Sequence, residues 1–279
     1  MKQADLHVHT THSDGMMTPE EVVHYAKEKN LQAIAITDHD NVTAVKIAQQ
    51  AGERQHIEVI PGVEMSTLWE KQEIHILGYW MNINDPELLK ILEEQRGVRH
   101  RRNQMVIAKL QELGISITLE EVIKRKKNHD KRTVGRPHIA EVLIEKGVVK
   151  SMEEAFERYL GKGGLAYQTP DRISPIEAIK IIRENGGVPV IAHPGLYRMD
   201  HVIPLLVKEG LEGIEIRHPD HTEEDERRYR EIAEEFGLIM TAGSDFHGER
   251  EGSMYHADLG TCKVSYQSVQ KLKQRAGRE

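Results

Sequence analysis

The chain has 279 residues, 38% of them hydrophobic, which is enough to bury a sizeable core and excludes a mainly disordered protein. Its net charge of −7 provides no global positive field for long nucleic acid, so any anionic partner must be bound locally. A single cysteine, Cys262, excludes a disulfide framework and a cysteine-based zinc site, whereas sixteen histidines favour imidazole and carboxylate chemistry.

The alternation of short apolar runs with longer polar stretches of helical period predicts an α/β fold with parallel strands. Predicted strands cover 4–8, 33–37, 57–60, 74–79, 188–192, 212–216, 238–242 and 259–264. Predicted helices over 19–29 and 174–184 each begin with a capping residue, Thr18 or Ser174, followed by a proline.

The middle of the chain has a different pattern. A charged helical stretch over 86–113 precedes helical segments at 118–128, 137–146 and 151–160, with no convincing strand between them. We interpret residues 95–170 as an inserted small helical domain that covers the active site, and residues 1–94 with 171–279 as the main domain. The basic run at 124–132 is interpreted as a solvated helix end and loop.

The N-terminus and the hydropathy of the chain bear on its location. The first residues, MKQADLHVHT, lack the basic and then apolar pattern of a signal peptide. No apolar run approaches the roughly 20 residues that a membrane helix requires. We therefore expect a cytoplasmic protein without a membrane partner.

Histidines and carboxylates follow the predicted strands. His7 and His9 share one face of the first strand, and Asp245 and His247 repeat this spacing after the strand 238–242. In β/α barrels the carboxyl ends of the strands converge, so distant residues meet there. Other candidate ligands near strand ends are Asp14, His39, Glu64, His75 and His193. Nine ligands exceed the needs of one catalytic ion, which predicts two or three metals.

Six motifs in this order, DLHVHTTHSDG, AIAITDHD, PGVE, EIHILGY, AHPG and GSDFHG, resemble those of the PHP (polymerase and histidinol phosphatase) superfamily. The resemblance extends along essentially the whole chain. GRPHIA and the segment after it, together with IEIRHPDHT, resemble the single-chain bacterial phosphoesterase branch. That branch includes 3′,5′-nucleoside bisphosphate phosphatases and the short-RNA exonuclease ribonuclease AM.

The resemblance implies a distorted (β/α)7 barrel of the PHP type with three metal positions. By this resemblance His7, His9, Glu64 and Asp245 hold the first metal, and Glu64 bridges to a second that His75 and His193 also hold. Asp14, His39 and His247 hold the third. Because oxygen and imidazole ligands occur without thiolate, Mn²⁺ is the favoured ion, with Fe²⁺, Zn²⁺ or Mg²⁺ as alternatives. Three such ions would exceed the charge of the three carboxylates and would suit a phosphate ester.

Four further residues are candidates for binding the substrate: Arg136, His138, Arg198 and His218. Pro137 can open a helix whose first amides face an anion, although Arg136 could instead cap or pair within the insertion. Arg198 follows AHPG, and His218 ends the strand 212–216. We expect Glu64, His218 and Arg198 to act in catalysis, and Asp5, Asp38 and Asp40 to orient imidazoles.

The resulting prediction is a metal-dependent phosphoesterase that uses a metal-bridging hydroxide. Its expected substrates are small phosphorylated nucleotides, such as 3′,5′-bisphosphonucleosides, or short oligoribonucleotides cleaved from the 5′ end; binding of long nucleic acid is not expected. The alternatives are a phosphatase of histidinol phosphate or another sugar or alcohol phosphate, an amidohydrolase-like C–N hydrolase, and a noncatalytic PHP interaction module.

Overall fold

One mixed sheet of eight strands forms the centre of the main domain in this computed structural model, which describes residues 2–124, 134–250, 253–254 and 256–278. The strands are β1 (Gln3–Val8), β2 (Ala33–Ile36), β3 (Glu58–Trp69), β4 (Gln72–Tyr79), β5 (Val188–Ile191), β6 (Gly213–Arg217), β7 (Ile239–Ala242) and β10 (Val264–Ser265), with a separate hairpin of β8 (Glu249–Arg250) and β9 (Ser253–Met254). Their order in the sheet is β10-β1-β2-β3-β4-β5-β6-β7. Within this sheet of described residues, only β4 and β10 run antiparallel to their neighbours; the strands of the separate hairpin are also antiparallel.

The segment that follows β7 reaches the end of β1, which is next to the edge strand β10. Val8 forms a parallel bridge with Phe246, and the His9 amide donates a hydrogen bond to the Phe246 carbonyl at 2.9 Å. The sheet is therefore a nearly closed barrel at its carboxyl end, which confirms the distorted PHP-type barrel expected from the sequence.

Helices join the strands, and their capping residues explain where several of them begin. They are α1 (Pro19–Glu28), α2 (Val45–Gln55), α3 (Pro86–Glu112), α4 (Leu119–Lys124), α5 (Arg136–Glu145), α6 (Met152–Ala155), α7 (Pro175–Glu184), α8 (Ile203–Lys208), α9 (Glu223–Phe236) and α10 (Tyr266–Arg275). Thr18 and Ser174 cap α1 and α7, as predicted from the sequence, and the structure adds a complete capping box at each. No helix among the described residues has the length and apolarity needed to cross a membrane.

The chain divides into two compact units. The first comprises residues 1–92 and 172–279, and the second comprises residues 93–171. The second unit has its own apolar core, in which Leu110, Ile139, Leu143 and Leu160 are fully buried. Most of the basic run at 124–132 lies outside the described residues.

Two strand predictions were wrong in extent. The predicted strand 57–60 continues to Trp69, because residues 62–69 pair along their whole length with β4. The predicted strand 259–264 is reduced to Val264 and Ser265. Before it, the Gly260 amide donates to the Asp5 carboxylate at 2.8 Å instead of joining a strand ladder.

Candidate metal centre

Side chains from six segments meet inside the barrel at its carboxyl end. On β3 the inward positions change from apolar Ile60 to Gly62 and then to Glu64, because alternate residues share a face. On β1 the register against β2 shifts between Asp5 and Val8, so Leu6 joins the inner apolar cluster while the next residue, His7, reaches the centre. The candidate ligands brought together in this way are His7, His9, Asp14, His39, Glu64, His75, His193, Asp245 and His247.

Four buried atoms face one another at the middle of this cluster. His7 Nε2 lies 3.4 Å from both Glu64 Oε2 and Asp245 Oδ1, and His9 Nε2 lies 3.2 Å and 3.1 Å from the same two oxygens. None of the four atoms has a hydrogen-bond partner among the described residues. Ligand atoms on one tetrahedral ion stand roughly 3.4 Å apart, so this spacing and this donor set fit a divalent cation.

The Glu64 carboxylate lies between two groups of imidazoles. Its Oε1 is 2.7 Å from His75 Nδ1 and 3.0 Å from His193 Nε2. Its Oε2 faces His9 and is also 2.8 Å from His39 Nδ1. A carboxylate in this position can reach two cations at once, one through each oxygen.

Asp14 is the carboxylate of a further cluster of imidazoles next to the one around Glu64. Its Oδ1 lies 3.2 Å from His247 Nε2, and its Oδ2 lies 3.8 Å from His39 Nε2. His9 completes a cluster of four groups that could hold an ion. The geometry therefore offers three neighbouring positions, while the number and identity of the ions stay predictions.

Mutual stabilisation of charges characterises the centre. Burial raises the pKa values of Glu64, Asp14 and Asp245, but the surrounding imidazoles outweigh burial and hold all three well below their usual range. Burial lowers the pKa of His9, yet Asp245 and Glu64 raise it overall to about 10. Burial lowers the pKa of His193 to about 4, which leaves a neutral imidazole with a lone pair at neutral pH. The carboxylates are thus ionised and attract cations.

Groups behind the ligands fix which ring nitrogen faces the centre. The Glu215 carboxylate is fully buried and 3.2 Å from His7 Nδ1, which donates a hydrogen bond to it, so that Nε2 is the ring nitrogen that faces Glu64 and Asp245. Ser13 Oγ donates to Asp38 at 2.6 Å and lies 3.2 Å from His9 Nδ1, so it accepts from that nitrogen. Both histidines therefore present Nε2 to the centre.

The sequence-based expectation for the aspartates was partly wrong. Asp5 accepts hydrogen bonds from backbone amides and the Ser244 hydroxyl, and Asp38 acts on His9 only through Ser13. The carboxylate that does contact an imidazole directly is Glu215, which pairs with His7 and was not predicted from the sequence. It is the second of the two glutamates in EGIEI and lies between two isoleucines, a pattern that could have identified it.

The candidate substrate residues occupy different environments. His218 is buried, and its Nε2 lies 3.4 Å from Asp245 Oδ2, at the edge of the centre. Arg198 is exposed, and its side chain forms no hydrogen bond or ion pair with any described residue. The hydroxyl of the preceding residue, Tyr197, lies 2.8 Å from His193 Nδ1.

Arg136 and His138 belong to the second unit, at the start of α5. The guanidinium of Arg136 lies 5.2 Å from the centre of the Tyr167 ring. His138 is buried, and its Nδ1 accepts a hydrogen bond from the Gly135 amide, which caps the helix. Their contact with substrate remains a prediction.

His256 is a further residue that contacts a candidate ligand of the centre. The structure places its Nε2 3.3 Å from Asp245 Oδ2 and its Nδ1 3.0 Å from Asp220 Oδ2. It therefore belongs to the rim of the centre. The spacing of eleven residues between Asp245 and His256 gave no recognisable motif.

Comparison with known proteins decides the family. The model of the PHP domain family matches residues 5–249. The chain belongs to this family. It is similar to the 5′-3′ exoribonuclease Rnm of Escherichia coli, at 34% identity over 250 residues that cover 87% of this chain and 84% of that protein.

Two other PHP relatives resemble the chain over most of its length. The 3′,5′-nucleoside bisphosphate phosphatase of Chromobacterium violaceum is 33% identical over 257 residues, which cover 90% of each chain. A crystal structure from Bifidobacterium adolescentis, whose assignment as a metal-dependent phosphoesterase is itself an inference, has a TM-score of 0.89 and 29% identity and covers 98% of this chain and 96% of its own. The PHP assignment made from the motifs is thereby confirmed.

Proposed function

We propose that this protein is a metal-dependent phosphoesterase that hydrolyses small phosphorylated nucleotides such as 3′,5′-bisphosphonucleosides or cleaves short RNA from its 5′ end. The observation that carries the proposal is the buried ring of alternating nitrogen and oxygen atoms from His7, His9, Glu64 and Asp245. The protein belongs to a family whose members include relatives named as an exoribonuclease and a bisphosphate phosphatase, and this membership supports phosphate-ester hydrolysis.

The donor set suits three divalent ions, with Mn²⁺ favoured over Fe²⁺, Zn²⁺ and Mg²⁺. When bound, such ions supply polarisation of phosphate oxygens and an acidified water near neutral pH. The protein's contribution is to hold its ligands in the required form. Glu215 and Ser13 orient His7 and His9, and Glu64 separates the imidazoles into two groups.

Four residues are proposed to recognise the substrate. Arg198 has an exposed guanidinium that can pair with a phosphate in bidentate geometry. We retain His218 as a group that acts beside Asp245, and Arg136 and His138 of the second unit as candidate contacts for the substrate.

The test is a phosphate-release screen with protein reconstituted in Mn²⁺. The substrates are 3′,5′-bisphosphonucleosides, 5′-phosphorylated short RNAs, nucleoside monophosphates and histidinol phosphate. We expect the highest kcat/KM for a bisphosphonucleoside or a short RNA. A clear preference for histidinol phosphate would overturn the substrate assignment, and no turnover of any ester would favour a noncatalytic module.

A further inference from the structure

A groove lies on the outer face of the barrel between α9 and α10. Its cavity of about 440 Å³ has an apolar floor formed by Ile216, Leu238, Met240 and Ala242. Leu238, Met240 and Ala242 are alternate residues of β7 and of the position just before it, so their side chains share one face of the strand. Ile239, which belongs to the inner apolar cluster, is on the opposite face. Since β7 and β10 are the two ends of the sheet order, the groove marks the lateral seam of the barrel.

Positive charge surrounds this floor. Four cations line the groove, Arg217, Arg230, Lys263 and Lys271, against a single carboxylate, Glu226. Glu226 pairs with Arg217 at 3.4 Å, whereas the other three cations form no ion pair with any described residue. Residues 263–278 hold five lysines and arginines without one aspartate or glutamate, in a chain whose net charge is −7. The cationic surface is therefore a local exception.

The groove extends to the carboxyl end of the barrel, the end at which the candidate metal centre lies. Arg217 immediately precedes His218, whose Nε2 is 3.4 Å from Asp245 Oδ2. Ala242 is three residues before Asp245, and three residues span at most about 11 Å along the chain. This backbone separation is short enough for neighbouring nucleotides of one strand to reach both places.

We propose that this groove binds the part of a short RNA substrate that lies downstream of the 5′ end being hydrolysed, an inference that rests on the proposed function. The cationic rim neutralises backbone phosphates, and the apolar floor accepts the face of a base or sugar. The groove thereby favours short oligonucleotides over mononucleotides at the same centre. Charge complementarity selects an RNA strand over a second copy of this acidic chain.

The test compares one double variant with a matched control. Arg230→Glu with Lys271→Glu changes two exposed residues outside the proposed catalytic machinery. Lys27→Glu with Arg54→Glu makes the same change of charge at the exposed C-terminal turns of α1 and α2. For the groove variant, kcat/KM on a 5′-phosphorylated pentaribonucleotide should fall at least about tenfold, while kcat/KM on a 3′,5′-bisphosphonucleoside stays within about twofold.

Salt dependence gives a second readout. We measure binding of a 3′-fluorescein-labelled pentaribonucleotide in EDTA and plot the logarithm of the binding constant against the logarithm of the salt concentration. Loss of two phosphate contacts should reduce the magnitude of the slope of this plot by roughly 1.4. Equal losses on both substrates, no loss on either, or the same loss in the control variant would overturn the groove assignment. No loss on either substrate would mean that Arg230 and Lys271 only cover the apolar floor with the aliphatic parts of their side chains. The same loss in the control variant would mean that the effect comes from the overall charge of the protein.

Failure of the groove and failure of the proposed function give different results. If the wild-type protein binds the labelled strand through the groove but hydrolyses neither that strand nor the 3′,5′-bisphosphonucleoside, the proposed function is wrong and the groove stands as a surface for RNA. If it hydrolyses the strand and the double variant does so equally well, the groove is wrong and the function stands. If the wild-type protein hydrolyses the bisphosphonucleoside but neither binds nor hydrolyses the strand, the groove is wrong and the function stands. If it does none of these, both are wrong.

Discussion

The two ends of the barrel interior are built by the same strands from opposite kinds of side chain. On β4, Tyr79 and Leu77 pack in the inner apolar cluster. His75, two residues before Leu77 on the same strand, faces Glu64. On β7, inward-facing Ile239 belongs to the same cluster, and the strand leads to Asp245. The comparison indicates that the apolar layer stabilises the fold and that the polar layer binds cations. A substitution in the polar layer should therefore reduce metal binding, and a substitution in the apolar layer should reduce the free energy of unfolding.

Glu64→Gln should cause the largest loss at the polar end. The variant keeps the shape of the side chain but removes the charge that faces both groups of imidazoles, so both proposed cation positions weaken. Loss of several kcal/mol of electrostatic stabilisation corresponds to a fall in kcat of about a thousandfold or more. Metal analysis by mass spectrometry should show reduced occupancy. Full metal content with near-normal turnover would contradict the bridging position of Glu64.

Leu77→Ala should damage the apolar end instead. Leu77 is fully buried, and a Leu→Ala cavity costs about 2–5 kcal/mol of the free energy of unfolding. Denaturant unfolding in EDTA measures this cost without a contribution from bound metal. At temperatures where the variant is folded, its metal stoichiometry should equal that of the wild type. A loss of metal in the folded protein would show that the two layers are not separable.

Arg198→Ala and Arg136→Ala should weaken substrate binding without removing metal, because guanidinium groups bind phosphate and do not ligate cations. A lost contact with a charged group is worth roughly 1.5–3 kcal/mol, or about ten- to more than a hundredfold in kcat/KM, with metal content unchanged. If either arginine holds the phosphate that is not hydrolysed, the penalty should be much larger for a 3′,5′-bisphosphonucleoside than for a nucleoside monophosphate. Equal penalties would place that arginine at the scissile phosphate or in the fold.

Glu215→Gln tests the layer behind the ligands. The amide keeps an acceptor near His7 Nδ1 but loses the negative charge, and loss of such a partner typically lowers metal affinity about 10- to 100-fold. Metal titration should detect this change, and excess metal should restore most of the activity. Glu212→Gln, on the same chain segment but outside the centre, serves as the control. Unchanged metal affinity would reduce Glu215 to a packing role.

The sequence located much of this centre because strand ends and short spacings are visible in it. His7 with His9, and Asp245 with His247, could be paired from spacing alone, and the structure brings them together. Glu215 and His256 could not be placed, since their partners are 208 and 11 residues away along the chain. The length of β3 was missed because Pro61 and Gly62 usually interrupt strands. Here Pro61 only contributes its carbonyl, to the Trp80 amide.

Metal reconstitution tests whether phosphate release depends on cations held by the polar layer. Protein stripped with a chelator and then titrated with Mn²⁺ should bind up to three ions, and phosphate release should rise from background as the positions fill. Circular dichroism of the stripped protein should stay close to that of the loaded protein, because the apolar layer does not depend on cations. Full phosphoesterase activity in protein verified as metal-free would show that hydrolysis does not use these cations.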